Sequence, residues 1–131
     1  MALPNVGGGY QVADGNTNEL TMTVRPQVNA ISAAYTLTAA DFASGIVSAT
    51  SSGSYAVTTP TGAAMDAAFT NAKVGSSFEF SITHGSATNV ITLTAGASGV
   101  TIVGLATVTG ITSGTWVFRK TAAATWSAYR I

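Results

Sequence analysis

The feature that most constrains the fold of this chain is a period of two in its apolar side chains. In residues 77–83, Phe78, Phe80 and Ile82 alternate with small or charged polar residues. This alternation is typical of a β-strand with one face buried. Similar stretches recur about every 8–12 residues with turn-forming residues between them, a spacing typical of antiparallel sandwiches and barrels. The sequence therefore predicts an all-β fold, an antiparallel jelly-roll-like sandwich with one short helix and an extended N-terminal arm.

The alternation also places the individual strands. Pro26 ends the first of them, because proline cannot donate to a strand ladder. We expect residues 90–94 to pair back onto residues 77–83, and the last two strands to form a hairpin. The predicted strands cover residues 20–24, 28–37, 45–50, 55–58, 77–83, 90–94, 100–103, 107–111, 115–121 and 125–131.

One helix is predicted over residues 62–72, where apolar residues recur at helical spacing. Thr61 is its expected N-cap. A single helical turn is predicted after Thr38, with Asp41 at the capping-box position and Gly45 as the stop signal.

Residues 1–19 have a different character from the rest of the chain. Pro4, the run of glycines at 7–9 and the polar string at 14–18 disfavour regular structure. We expect an extended arm over residues 1–19, followed by a β-sandwich domain over residues 20–131.

Charge is scarce in the 131 residues. Asp, Glu, Lys and Arg make up 8% of the chain, and five acids balance five bases. Without a basic surplus we expect no nucleic-acid binding, and with 47% hydrophobic residues we expect an ordered chain. So few surface charges provide little repulsion against association, which predicts that the working state is an assembly.

Cysteine is absent, which excludes disulfides and thiol chemistry. The first residues lack the basic and apolar segments of a secretory signal. The most apolar stretch, residues 99–111, is shorter than the roughly 20 residues of a spanning helix. We therefore expect no membrane partner.

No group of residues predicts catalysis, a cofactor or a metal. His84 is the single histidine and precedes Gly85 in a predicted turn, so we interpret it as exposed. Asp14, Asn16 and Asn18 imitate the start of a calcium loop, but Glu19 and Arg25 stand where that loop needs glycine and glutamate. The acids lie on separate elements. We expect the chain not to be an enzyme.

Two sets of residues are candidates for contacts. Arg119, Lys120 and Arg130 form the only basic cluster on the last hairpin, either an acidic-partner contact or a charged edge that discourages strand pairing. The second set could stack against a sugar, although such residues more often fill a core or a subunit interface. It consists of Trp116, Trp126 and Tyr129.

The chain also resembles a module of small virion proteins of tailed bacteriophages. The resemblance covers roughly residues 35–131 and is a pattern of composition and turns. It is carried by YTLTAAD at 35–41, TPT at 59–61, GSSFEFSI at 75–82, NVITLTAG at 89–96, GVTIVG at 99–104, TSGTWVFRKT at 112–121 and the closing YRI.

The resemblance implies a capsid decoration (cement) protein on the outside of an icosahedral shell. Such a protein would clamp neighbouring major capsid protein subunits as a homotrimer, in a virion assembled in the host cytoplasm. Two alternatives stay open, a glycan-binding tail or fibre component and a head–tail connector. The residues expected to touch the partner are Pro4, Val6, Tyr10 and Val12 of the arm with Arg119, Lys120 and Arg130.

Overall fold

A computed structural model describes residues 24–50 and 53–131. Within these residues lie ten strands and two short helices, α1 (Ala39–Ser44) and α2 (Gly62–Ala68). The strands are β1 (Asn29–Ile31), β2 (Tyr35–Thr36), β3 (Ile46–Ala49), β4 (Tyr55–Thr58), β5 (Ser77–His84), β6 (Val90–Thr94), β7 (Val100–Val103), β8 (Thr107–Thr109), β9 (Ser113–Ala122) and β10 (Thr125–Arg130).

The strands form two mixed sheets. The first sheet has the order β1-β3-β5-β9-β10-β7, and the second has the order β2-β4-β6-β8. The pairs β1–β3, β3–β5, β2–β4, β4–β6 and β7–β10 are parallel. The pairs β5–β9, β9–β10 and β6–β8 are antiparallel. The prediction of an all-β antiparallel, jelly-roll-like sandwich is therefore wrong.

The reason lies in the path of the chain. From β1 to β6 each strand passes to the other sheet, so neighbours within one sheet are two strands apart in sequence and run the same way. Alternation of side chains reports that one face of a strand is buried, but it carries no information about the direction of the neighbouring strand. The alternation that the sequence shows is thus compatible with both arrangements.

The positions of the strands match the predictions from the sequence better than the pairing of the strands does. Strands β4, β6 and β7 have the predicted bounds, and β9 and β10 form the predicted hairpin. The stretch 28–37 contains two strands in different sheets instead of one, because the chain bends between Ile31 and Tyr35. Strand β6 pairs with β4 and β8, so the predicted pairing of residues 90–94 with 77–83 is wrong. Most of the strand predicted over 20–24 lies outside the described residues.

Both helices begin where the sequence predicts. At α1 the Thr38 backbone N–H donates to the Asp41 carboxylate at 2.8 Å, and Gly45 ends the helix with φ +78°. At α2 the Thr61 hydroxyl accepts from the Ala64 N–H at 3.2 Å. Helix α2 ends at Ala68, earlier than predicted, because the backbone of Phe69 leaves helical geometry.

Side chains from both sheets fill one core. Trp116, Trp126, Phe80 and Phe118 are the largest fully buried residues of the first sheet, and the second sheet contributes Val57, Ile91, Leu93 and Val108. The ring of Phe42 on α1 packs edge-on against three phenylalanines, with centroid distances of 5.1–5.2 Å. In the described part of the chain no helix is long and apolar enough to cross a membrane.

The first residue of α2 packs against backbone on two sides. A Cβ atom on Gly62 would lie 2.0 Å from the carbonyl oxygen of Ala124 and 2.7 Å from that of Gly99. Both atoms belong to backbone and cannot rotate away. Glycine at position 62 is therefore what lets α2 approach the β9–β10 turn.

Gly62→Ala should lower the free energy of unfolding by about 1–3 kcal/mol, the usual cost of forcing extra atoms into a packed site. Urea denaturation monitored by tryptophan fluorescence measures the change. The matched control is Gly53→Ala, where a Cβ meets no described atom within 4 Å, and we expect a change within about 0.5 kcal/mol. Equal effects of the two substitutions would contradict the close approach.

Candidate interaction site

A pocket lined by aromatic rings lies beside the end of α2. Its volume is about 390 Å³, within the range of roughly 300–1,000 Å³ found for ligand pockets. Three rings line it, and their centroids are 5.2–6.1 Å apart. We call it the aromatic pocket; its lining includes the rings of Phe69, Phe78 and Trp126 and the polar residues Thr70, Asn71, Ser76 and Ser77.

The carboxylate of Asp66 fixes one wall of this pocket. It accepts hydrogen bonds from the Trp126 indole N–H at 2.8 Å and from the Ala124 backbone N–H at 2.8 Å. It also forms an ion pair with Lys120 Nζ at 3.0 Å. The Ala124 N–H, the Lys120 ammonium and the Trp126 N–H together hold the pKa of this carboxyl below its usual value of 3.8. Asp66 thus joins α2 to the β9–β10 hairpin.

The loop from Phe69 to Ser76 is held against β9 by backbone bonds. The Gly75 N–H donates to the Lys120 carbonyl at 2.8 Å, and the Lys120 N–H donates to the Ser76 carbonyl at 2.9 Å. The Lys120 ammonium also donates to the Ala72 carbonyl at 3.3 Å. These bonds fix the backbone that carries the polar rim of the aromatic pocket.

The basic residues of the last hairpin do not form one cluster. Lys120 and Arg130 lie opposite Trp126 and Trp116 in the β9–β10 register, roughly 13 Å apart at 3.3 Å per residue. Lys120 is paired with Asp66. Arg130 stacks 4.7 Å from the centre of the Trp116 ring and donates to the Thr107 carbonyl. Arg119 is exposed on the outer face of the first sheet. A role of these three residues in partner binding stays a prediction.

A second carboxylate, Asp41, is buried and saturated with donors. Its oxygens accept from the Asn29 amide at 3.2 Å, the Tyr35 hydroxyl at 3.0 Å and both the backbone N–H and the hydroxyl of Thr38. Burial, followed by the bond to this carboxylate, raises the pKa of Tyr35. These contacts connect β1, β2 and α1, which gives Asp41 a structural role.

Exposed apolar side chains adjoin the edge strand β7. Val103 and Tyr129 are register partners on β7 and β10, and they are 41% and 37% exposed. Leu105 lies two residues after Val103 and is 62% exposed, and Ile131 lies two residues after Tyr129 and is 66% exposed. We call these four residues the β7 corner. Exposed apolar side chains near a strand edge are a feature of interaction sites.

Burial decides between the two roles considered for Trp116 and Trp126 and corrects the expectation for His84. Trp116 and Trp126 are 0% and 1% exposed, so they cannot form the sugar-stacking platform considered from the sequence, and they occupy the core. His84 ends β5 and is 3% exposed, so the expectation of an exposed turn histidine is wrong. Within the described residues neither of its ring nitrogens has a hydrogen-bond partner.

Several predictions lie outside the described residues. Pro4, Val6, Tyr10 and Val12 are among them, and so is the polar string at 14–18 that imitates a calcium loop. In residues 24–50 and 53–131 no group of three His, Cys, Asp or Glu side chains could hold a metal ion.

Comparison with known proteins gives no relative for this chain. No family model matches it, and neither a curated protein nor a solved structure matches it.

Sequence reasoning missed the aromatic pocket. The sequence places Phe78 on the buried face of a predicted strand and Phe69 inside the helix predicted over residues 62–72, but nothing local shows that they meet Trp126. The sequence does contain one relevant signal. Asp66 is the one acid in the predicted helix, and a lone acid on a short helix indicates a basic or N–H partner on another element.

The depressed pKa of Asp66 predicts a defined pH dependence. Because its folded-state pKa lies below 3.8, the ionised carboxylate stabilises the fold above that pH, and the stabilisation is lost as pH falls through the folded-state pKa. At pH 7 wild type should therefore be more stable than Asp66→Asn. The difference in urea midpoint should shrink steadily below pH 3.8, and a difference that stays constant down to acid unfolding would refute the role of the charge.

Proposed function

We propose that this chain is a structural virion protein, a capsid decoration protein that binds the outside of an icosahedral shell and clamps neighbouring major capsid subunits. The observation that carries the proposal is the β7 corner, a set of exposed apolar side chains beside a strand edge that pairs with no other strand in residues 24–50 and 53–131. An unpaired edge with apolar neighbours is unfavourable for a free monomer, and a partner that covers it removes both costs.

The charged residues support the same proposal. Among the described acids, Asp41 and Asp66 are engaged in hydrogen bonds that hold the fold together. Two of the three described carboxylates are therefore used for architecture. This use suits a rigid body whose work is contact with other proteins.

The proposed assembly is a homotrimer. In a cyclic trimer each β7 corner is buried against the next copy, which removes its four apolar side chains from water. Three linked copies also bind a repeating shell more tightly than one copy, since each further contact becomes intramolecular. The arm over residues 1–19 is proposed to reach a neighbouring capsid subunit.

Leu105→Asp tests the corner, because an aspartate there would be desolvated in the trimer interface. Light scattering should show that wild type is a trimer and that the variant is a monomer. In cosedimentation with shells that lack the protein, the variant should bind at least about tenfold more weakly, because avidity is lost. The matched control is Ile111→Asp, since Ile111 is 70% exposed and Leu105 is 62% exposed.

The control should keep both the trimer and the attachment to shells. A monomeric wild-type chain, or equal behaviour of the two variants, would contradict the proposed use of the corner. Wild-type protein that fails to sediment with shells would contradict decoration itself.

A further inference from the structure

The aromatic pocket has a volume suited to a single large side chain. Its floor is apolar, and the residues that line its rim are neutral hydroxyl and amide groups. Phe69, Ala72 and Phe78 are partly buried and pack against the core, so the floor is preformed. Pockets of this kind hold the aromatic or aliphatic anchor of a protein interface, whose burial accounts for much of the binding energy.

Two basic residues adjoin the rim of the pocket. Ser77 on the rim is the register partner of Arg119, and a Cβ on Gly75 would lie 3.7 Å from the Arg119 guanidinium. Lys73 lies in the rim loop, where its backbone N–H bonds the Ser76 hydroxyl. Lys120 lies beneath the same loop and is neutralised by Asp66.

The other two cations are not neutralised. Among residues 24–50 and 53–131 the single ion pair is Lys120–Asp66. Glu79 lies on the same outer face as Arg119, opposite Val117, yet no ion pair joins it to Arg119. Lys73 and Arg119 therefore have no ion-pair partner among the described residues, and even with Glu79 nearby they leave a local formal charge of +1 beside an apolar pocket. A ligand that complements both features carries an apolar group between negative charges.

We propose that the aromatic pocket anchors an acidic segment of a partner protein. One aromatic or large aliphatic side chain of the segment enters the pocket, and flanking carboxylates meet Lys73 and Arg119. The inference rests on the proposed function, in which the partner is a subunit of the shell. It assigns the recognition of that subunit to the hairpin end of the molecule, where Trp126 lies roughly 10 Å along β10 from Tyr129 of the β7 corner at 3.3 Å per residue.

The test uses the full chain and a blocked synthetic peptide, one phenylalanine flanked on each side by two aspartates. Two comparison peptides replace the aspartates by lysines or the phenylalanine by alanine. We expect the backbone NMR signals of residues 69–78 to shift with the acidic phenylalanine peptide. Each comparison peptide should bind at least about tenfold more weakly, which corresponds to about 1.4 kcal/mol.

Two variants of the protein locate the binding. Arg119→Glu reverses an exposed charge and should weaken the acidic peptide about tenfold or more. Ala72→Trp fills the pocket and should abolish binding, and an unchanged thermal midpoint shows that it folds. Leu105→Asp is the matched control for added negative charge, and it should bind the peptide as wild type does.

Three results would overturn the inference. The first is that the acidic peptide does not bind at concentrations up to about 1 mM. The second is that the lysine peptide binds as tightly as the acidic peptide. The third is that a neutral oligosaccharide binds at the pocket and that Arg119→Glu leaves its affinity unchanged. The peptide test needs neither trimers nor shells. Its failure is therefore distinguishable from failure of the decoration proposal, which shell cosedimentation reports.

Discussion

The contact on which the arrangement of the site depends is the one between Asp66 and the β9–β10 hairpin. One carboxylate on a short helix meets a backbone N–H, an indole N–H and an ammonium, each within 3.0 Å. A helix as short as α2 is unstable alone and needs tertiary contacts. The Asp66 contacts supply them, and the close packing at Gly62 fixes the distance between helix and turn.

The position of α2 then determines the surface at that end of the molecule. The chain leaves the helix at Phe69, whose ring packs 5.2 Å from Phe78 and 6.0 Å from Trp126. The loop that follows is tied to Lys120, so Lys73 and Arg119 are held beside the aromatic pocket. Two of the few acids are used to hold the fold together, and among the described residues Lys73 and Arg119 have no ion-pair partner.

The sequence predicted those structural features that depend on residues close together along the chain. Alternation and turn residues located β4, β6 and β7, and capping residues located the starts of both helices. Sheet membership was not predictable, because pairing between β3 and β5 joins residues more than thirty positions apart, such as Val47 and Ile82. The passage of the chain from one sheet to the other leaves no local trace.

In the candidate site, too, local features were predictable from the sequence and contacts between distant residues were not. Its rings were visible as inward or helical residues, yet their meeting depends on three distant elements. The basic residues were visible as a cluster in sequence, but Lys120 and Arg119 are neighbours on one strand whose side chains leave it on opposite faces. The structure instead bonds Lys73 to Ser76, which precedes Ser77, the register partner of Arg119, and spacing along the chain could not show this.

The central claim is that this protein covers a repeating shell, and its copy number in the virion tests that claim most directly. Quantitative mass spectrometry of purified particles, with the major capsid protein as the internal standard, measures it. Decoration predicts hundreds of copies in each particle, in a fixed ratio to the major capsid protein, as the symmetry of a closed shell requires. A dozen copies or fewer would contradict decoration and indicate a tail or connector component.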